Sequence, residues 1–149
     1  MATQYTAGLT SGQVLTAAIM NQIGAAWVSY TPTLTQGVTV TKTTGLAKYC
    51  QIQKLIIVNM DLTVTSAGTG AVGISIGLPI ATAAGTTQQI GTGMVYDQSA
   101  NALYSGPASI ATTTTITMLY QTGSPIGQSP SFALASGDVI RLMVAYEAA

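Results

Sequence analysis

The side chains able to do acid–base, metal or nucleophilic chemistry are few. They are Asp61, Asp97, Asp138 and Glu147, Lys42, Lys48, Lys54 and Arg141, the single cysteine Cys50 and the tyrosines; histidine is absent. Without histidine there is no Ser-His-Asp or Cys-His arrangement to activate a nucleophile. One thiol and no imidazole leave nothing for a structural zinc site, and calcium would need several clustered, charged oxygen ligands. Paired carboxylates of the glycosidase kind remain. Asp61 and Asp97 form such a pair only if their strands are neighbours. Asp138, after Ser136-Gly137, reads as a turn residue opening a strand, and Glu147 lies three residues from the end. Gly68-Thr69-Gly70 falls between strands with no following helix or lysine, so it is turn chemistry and not a phosphate loop. The expectation is no catalytic, no cofactor-binding and no metal residues: not an enzyme.

The same scarcity bounds the partners. Charged residues are 5% of 149, the formal net charge is zero, and mean hydropathy is +0.45; ordinary domains carry about a quarter charged residues. Four cations are too few to neutralise a phosphate backbone, so nucleic acid is not an expected partner. Cys50 has no second cysteine to pair with, and its apolar surroundings read it as a small buried hydrophobe. The first residues show neither a basic region nor a long apolar run, so no secretory signal is expected. The longest aliphatic run, Leu55-Ile56-Ile57-Val58, is far short of the ~20 residues that span a bilayer, and no membrane association is expected.

The elements that must position these residues divide the chain in two. Residues 1–27 read as an N-terminal arm with one short helix: Thr16 as N-cap, Ala17 to Ile23 as its body, and Gly24 at the C′ position. Leu15 and Met20 suit a hydrophobic staple, and Ile19 and Ile23 share a face. So short a helix needs something to pack on. Residues 28–149 read as a β-sandwich or jelly roll of about eight strands. The period switches to two, clearest at 55–65, where Ile56, Val58, Met60, Leu62 and Val64 fall on one face. Residues 72–78 put Val72, Ile74, Ile76 and Leu78 together, and the two segments read as a hairpin across Ser66–Gly70. Further strands are expected near 30–35, 38–43, 46–53, 88–96, 103–105, 113–120 and 138–146. In the last, Ile140, Leu142, Val144 and Tyr146 face inward and Arg141 and Met143 outward. Threonine, β-branched and uncharged, makes up about one residue in six and suits the outer face of a strand. With few charges to block sheet edges, and with Leu55, Ile57 and Met143 at outward positions, an obligate oligomer is expected.

Trp27-Val28-Ser29-Tyr30-Thr31-Pro32-Thr33-Leu34-Thr35 resembles the W-x-S-Y-T-P-T-L/W-T signature of many tailed-bacteriophage virion proteins. In those relatives it is followed by Y-x-x-I/V-G-K-x-V/I-x-V; here Tyr49 to Val58 fills that place, with Gln53 where the family has glycine. Upstream, Leu15-Thr16-Ala17-Ala18-Ile19-Met20-Asn21 is similar to the L-T-A-A-x-M/L-N segment that precedes the signature. Ile74-Ser75-Ile76-Gly77-Leu78-Pro79 looks like the family's strand ending in L-P. The resemblance covers residues 9–80. It implies a virion structural protein, commonly trimeric: a tail fibre, a minor tail protein or a capsid decoration protein.

A chain without shaft repeats, collagen-like stretches or a coiled-coil stalk suits a knob on a virion surface better than a reaching fibre. The expected function is therefore a homotrimeric capsid decoration (cement) protein, assembled in the bacterial cytoplasm and bound to the major capsid protein. Leu9, Val14, Leu15, Ile19, Met20, Ile23 and Trp27 are its candidate anchoring residues. The alternative is a short tail fibre bound to tail proteins. Its loop residues Tyr96, Asp97, Asn101 and Tyr104 are the candidate contacts with a host surface glycan. Because basic residues are confined to four positions, trypsin should leave the folded protein largely intact and cut first within residues 42–54. Mass spectrometry of a limited digest checks this, and early cleavage at Arg141 would contradict it.

Overall fold

The computed structural model describes residues 26–83, 88–121 and 123–149. The expected helix and the anchoring positions Leu9, Val14, Leu15, Ile19, Met20 and Ile23 lie outside them. The described chain is all-β, with ten strands: β1 Val28–Ser29, β2 Leu34–Gln36, β3 Val38–Thr39, β4 Lys42–Ile52, β5 Leu55–Val64, β6 Ser75–Gly77, β7 Gln89–Asp97, β8 Ala102–Thr112, β9 Thr115–Met118 and β10 Val139–Glu147. They form one antiparallel sheet in the order β1-β4-β5-β10-β7-β8-β9-β6-β2-β3. The sheet curls over so that its two ends face each other across one core, as the halves of a sandwich do.

The curl closes through the chain itself. β3 stands at one end of the sheet and β4 next to the other end, yet only Val40 and Thr41 separate them. Val40 N–H donates to Leu34 O, continuing the β2–β3 ladder, and Thr65 N–H donates to Thr41 O, continuing the β4–β5 ladder. Residues 38–52 are thus one bent strand shared by both ends, with Val40 buried at the corner.

The alternating strands behave as their pattern predicts. In β5, Ile56, Val58, Met60, Leu62 and Val64 are all buried, as are Ile140, Leu142, Val144 and Tyr146 in β10. The two strands pair over nine residues, from Val139↔Thr63 to Glu147↔Leu55. Full burial of a side chain of this size contributes about 1.5–3 kcal/mol, so this pair anchors the core.

The strand expected at 30–35 forms only at Leu34–Gln36, with Pro32, which has no N–H to give a ladder, just ahead of it. A second expectation fails. β6 is not the hairpin partner of β5; it pairs with β9 and β2. Both flanks of β5 are already taken, by β4 and β10. Residues 66–74 instead carry the chain across to the opposite half. Val72 consequently leaves the apolar row and is exposed, while Ile74 and Ile76 stay buried. β8 is also longer than the short strand expected at 103–105, because Gly106-Pro107 does not end it. Pro107 O accepts from Leu119 N–H just beyond the end of β9, so the N–H that proline lacks falls where the ladder stops. The turn between β4 and β5 is Gln53-Lys54, and Gln53 takes φ 54°, a left-handed conformation that glycine adopts without a Cβ penalty.

The crossing segment is tied down by one buried amide. Gln36 Nε2 donates to Val72 O at 3.1 Å and to Phe132 O at 2.8 Å, while its Oε1 accepts from Leu134 N–H at 2.7 Å. Gly68 lies against this side chain, where a Cβ would collide with it. Gln36→Leu keeps the volume and strands the buried Leu134 N–H and the half-buried Val72 and Phe132 carbonyls; a fully buried group costs about 1–3 kcal/mol when unpaired and the half-buried ones less. The expected loss is about 3 kcal/mol in a denaturant titration, against about 0.5 kcal/mol or less for Thr44→Ala on the exposed edge.

Candidate interaction surface

The outward face of the β4-β5-β10-β7-β8 half is built by register. One row across five strands reads Leu46, Asp61, Arg141, Met94 and Ser105; the next reads Lys48, Asn59, Met143, Thr92 and Pro107. These rows floor an open groove of about 880 Å3. A smaller depression lined by Trp27, Leu46, Lys48 and Asn59 adjoins it and shares two of its residues. Trp27 is 49% exposed and Met143 58%, so two of the largest apolar side chains on this face stand uncovered. Two of its side chains, Asp61 and Arg141, form an ion pair across β5 and β10, with Arg141 Nε donating to Asp61 Oδ2 at 2.9 Å. An exposed pair of this kind contributes little stability; with Lys48 in the adjoining depression, the groove and the depression together carry one net positive charge.

Bulges explain why this face was only partly legible. Met143 follows from simple alternation in β10. Leu46 and Met94 do not: β4 shifts register between Thr44 and Leu46, and β7 between Gln89 and Gly91, and each shift resets which side chains point outward. Cys50 pairs with Ile57 on the outward side of β4 and is nonetheless buried.

The carboxylates are dispersed. Asp61 and Asp97 lie on β5 and β7, and β10 runs between them, so the two do not form a catalytic pair. Asp97 is buried and its Oδ1 accepts from Ser99 Oγ at 2.7 Å and Ala100 N–H at 3.0 Å. Asp138, fully buried, accepts from Gln98 N–H at 3.0 Å and Ala135 N–H at 2.9 Å, joining two loops. Both carboxylates are turn anchors. No cluster of three or more His, Cys, Asp or Glu occurs among the described residues.

The four loop candidates divide by direction. Tyr96 and Asn101 face outward at the β7–β8 hairpin, where Tyr96 OH donates to Asn101 Oδ1 at 2.7 Å. Asn101 itself takes φ 49°. Asp97 is turned into the loop. Tyr104 belongs to an aromatic cluster, stacked on Phe132 at 4.7 Å and edge-on to Tyr120 at 6.1 Å. Exposed Leu103 pairs with Tyr96 across the hairpin; alternation within the hairpin would have found it beside Tyr96.

A second tyrosine cluster lies at the other end of the core. Tyr30 meets Tyr49 edge-on at 5.9 Å, and Tyr146 OH donates to Ile80 O at 2.7 Å. Tyr30 OH is buried without a hydrogen-bond partner. Burial, reinforced by Tyr146, pushes the Tyr30 phenol well above its ordinary value. Burial, reinforced by Tyr49, pushes Tyr146 up to about 12.

No family model, curated protein or solved structure matches the chain. Its class therefore rests on its own residues and geometry: an all-β domain presenting a broad, nearly uncharged face.

Both raised phenols hold their protons more tightly folded than unfolded. Their contribution is complete below the unfolded value near 10 and is lost as pH rises toward 12 and beyond. Stability should therefore be flat up to about pH 9.5 and fall steadily from pH 10 to 12. Phenolate absorbance should show two of the seven tyrosines ionising only as the fold opens. Simple titration of all seven near pH 10 would contradict this.

Proposed function

We propose that this chain is a non-enzymatic structural subunit of a tailed-bacteriophage virion, a homotrimeric capsid decoration protein. The observation that carries the reading is the outward face: five strands wide, with a groove floored by Met94, Met143 and Leu46, charged only at the Asp61–Arg141 pair and at Lys48 beside it, and bordered by exposed Trp27. Such a face is suited to burial against protein, since covering the groove desolvates one ion pair and one lysine. The signature from Trp27 to Thr35 agrees with this. So does the left-handed Gln53, which stands where the resembling proteins carry glycine. Decoration acts by mass action. A subunit that binds only the assembled shell lowers the shell's free energy, by about 2.7 kcal/mol per site at a free concentration a hundred times Kd.

The short tail fibre is the second reading, favoured by Tyr96, Leu103 and Asn101 on the outward side of one hairpin. The two readings separate on purified components. Added to heads that lack it, the protein should raise their disruption temperature in a saturable, concentration-dependent way and sediment with them. Saturable binding to host cells, with no binding to bare heads, would sink the decoration reading and favour the tail.

A further inference from the structure

We infer that the outward face packs against the same face of a second copy, with Lys48 of each chain meeting Glu147 of the other. Charge is the first argument. Lys48 on β4 and Glu147 at the end of β10 are both exposed on the outward side. The chain's other carboxylate side chains are engaged: Asp61 pairs with Arg141, and Asp97 and Asp138 are turned into loops. Register places Lys48 and Glu147 two strands and four residues apart, about 17 Å, beyond the reach of an ion pair within one chain. Lys54, in the turn beside Glu147, forms no ion pair with it. A two-fold contact uses the same patch on both copies, so one meeting of Lys48 with Glu147 brings a second. Neither charge is then buried alone, which is the costly case.

Apolar content is the second argument. Eight large apolar side chains are exposed among the described residues, and four of them, Trp27, Ile52, Leu55 and Met143, surround the line from Lys48 to Glu147. Half-buried Ile57 and exposed Ala145 fill the space between. Ile57 stands midway along that line, so the contact centres on apolar surface. Asp61 and Arg141 lie four residues further along β5 and β10 than Ile57 and Ala145, about 14 Å from the centre. They fall at the rim, where polar groups keep water. Size is the third argument. β4, β5, β10 and β7 abreast, nine residues long, present about 19 by 30 Å, or about 1,150 Å2 over two copies before side-chain relief is counted. Specific interfaces begin at about 1,200 Å2. The β8 side of the groove, with Ser105 and Pro107, stays open, and the inference does not depend on the virion reading.

The test is sedimentation equilibrium of the full chain at about 100 µM, well above the micromolar Kd of the weaker interfaces of this class. The native chain should form a dimer, or a larger even-numbered assembly if the three-fold contact proposed above also forms. A monomer or a plain trimer would overturn the inference, and the plain trimer would leave the three-fold reading standing. Charge reversal then locates the contact. Lys48→Glu and Glu147→Lys should each weaken the pairing about tenfold or more, because each sets like charges opposite one another at two symmetric points. Mixed one to one, the two variants should pair within about threefold of the native chain, since each supplies the charge the other lacks. The chain carrying both substitutions should recover in the same way. Pairing that is indifferent to either reversal, or that does not return on mixing, would overturn the inference.

Discussion

Val40 and Thr41 join two strands that stand at opposite ends of one sheet, and most of the architecture follows from that corner. Because residues 38–52 pair with β2 on one side of the bend and with β5 on the other, the sheet must curl. Its inward row then becomes a single closed interior shared by Leu34, Val40, Ile56, Leu62, Ile76, Ile116 and Ile140. Closure also dictates that the chain leaving β5 crosses to the far half, since β5 has no free flank. That crossing sets Val72 beside the 132–134 segment, outside any strand ladder. The Gln36 amide satisfies Val72, Phe132 and Leu134 together. An orphaned buried carbonyl or N–H is costly, so one neutral side chain does here what an ion pair often does elsewhere, without the cost of desolvating charge.

The few charges occupy positions where neutral groups serve poorly. Asp97 and Asp138 collect backbone N–H groups in tight loops, where a carboxylate accepts several hydrogen bonds at once. Lys42 lies on the part of β4 that the two residues of β1 leave uncovered, and lysine on an edge discourages pairing with other chains. The opposite edge is protected by geometry, because β3 is two residues long and turns directly into the corner. Edge protection is therefore partly internal. The demand for cover falls instead on the face of the sheet, where Trp27, Leu46, Met94 and Met143 outnumber the one ion pair.

The aromatic residues divide between frame and surface. Tyr104, Tyr120 and Phe132 brace one end of the core, and Tyr30, Tyr49 and Tyr146 the other. Among the described aromatic residues, Trp27 and Tyr96 stand on the outward side.

Period-two alternation is a local property, and the sequence alone determined what depends on it: an all-β chain, the inward rows of β5 and β10, the outward placement of Arg141 and Met143, and turns at Gln53-Lys54 and Ser136-Gly137. The absence of histidine likewise excludes nucleophile activation by a histidine of this chain. Strand partners are not local. Nothing in residues 55–78 says that β10, from the far end of the chain, takes the flank on which β6 would have folded back. Bulges in β4 and β7 broke the count that would have placed Leu46 and Met94 on the same face as Met143. The groove, the Asp61–Arg141 pair at its floor and the separation of Asp61 from Asp97 were decided only by tertiary pairing. Each joins residues distant in sequence through register, and one inserted residue is enough to turn a side chain from one face of a sheet to the other.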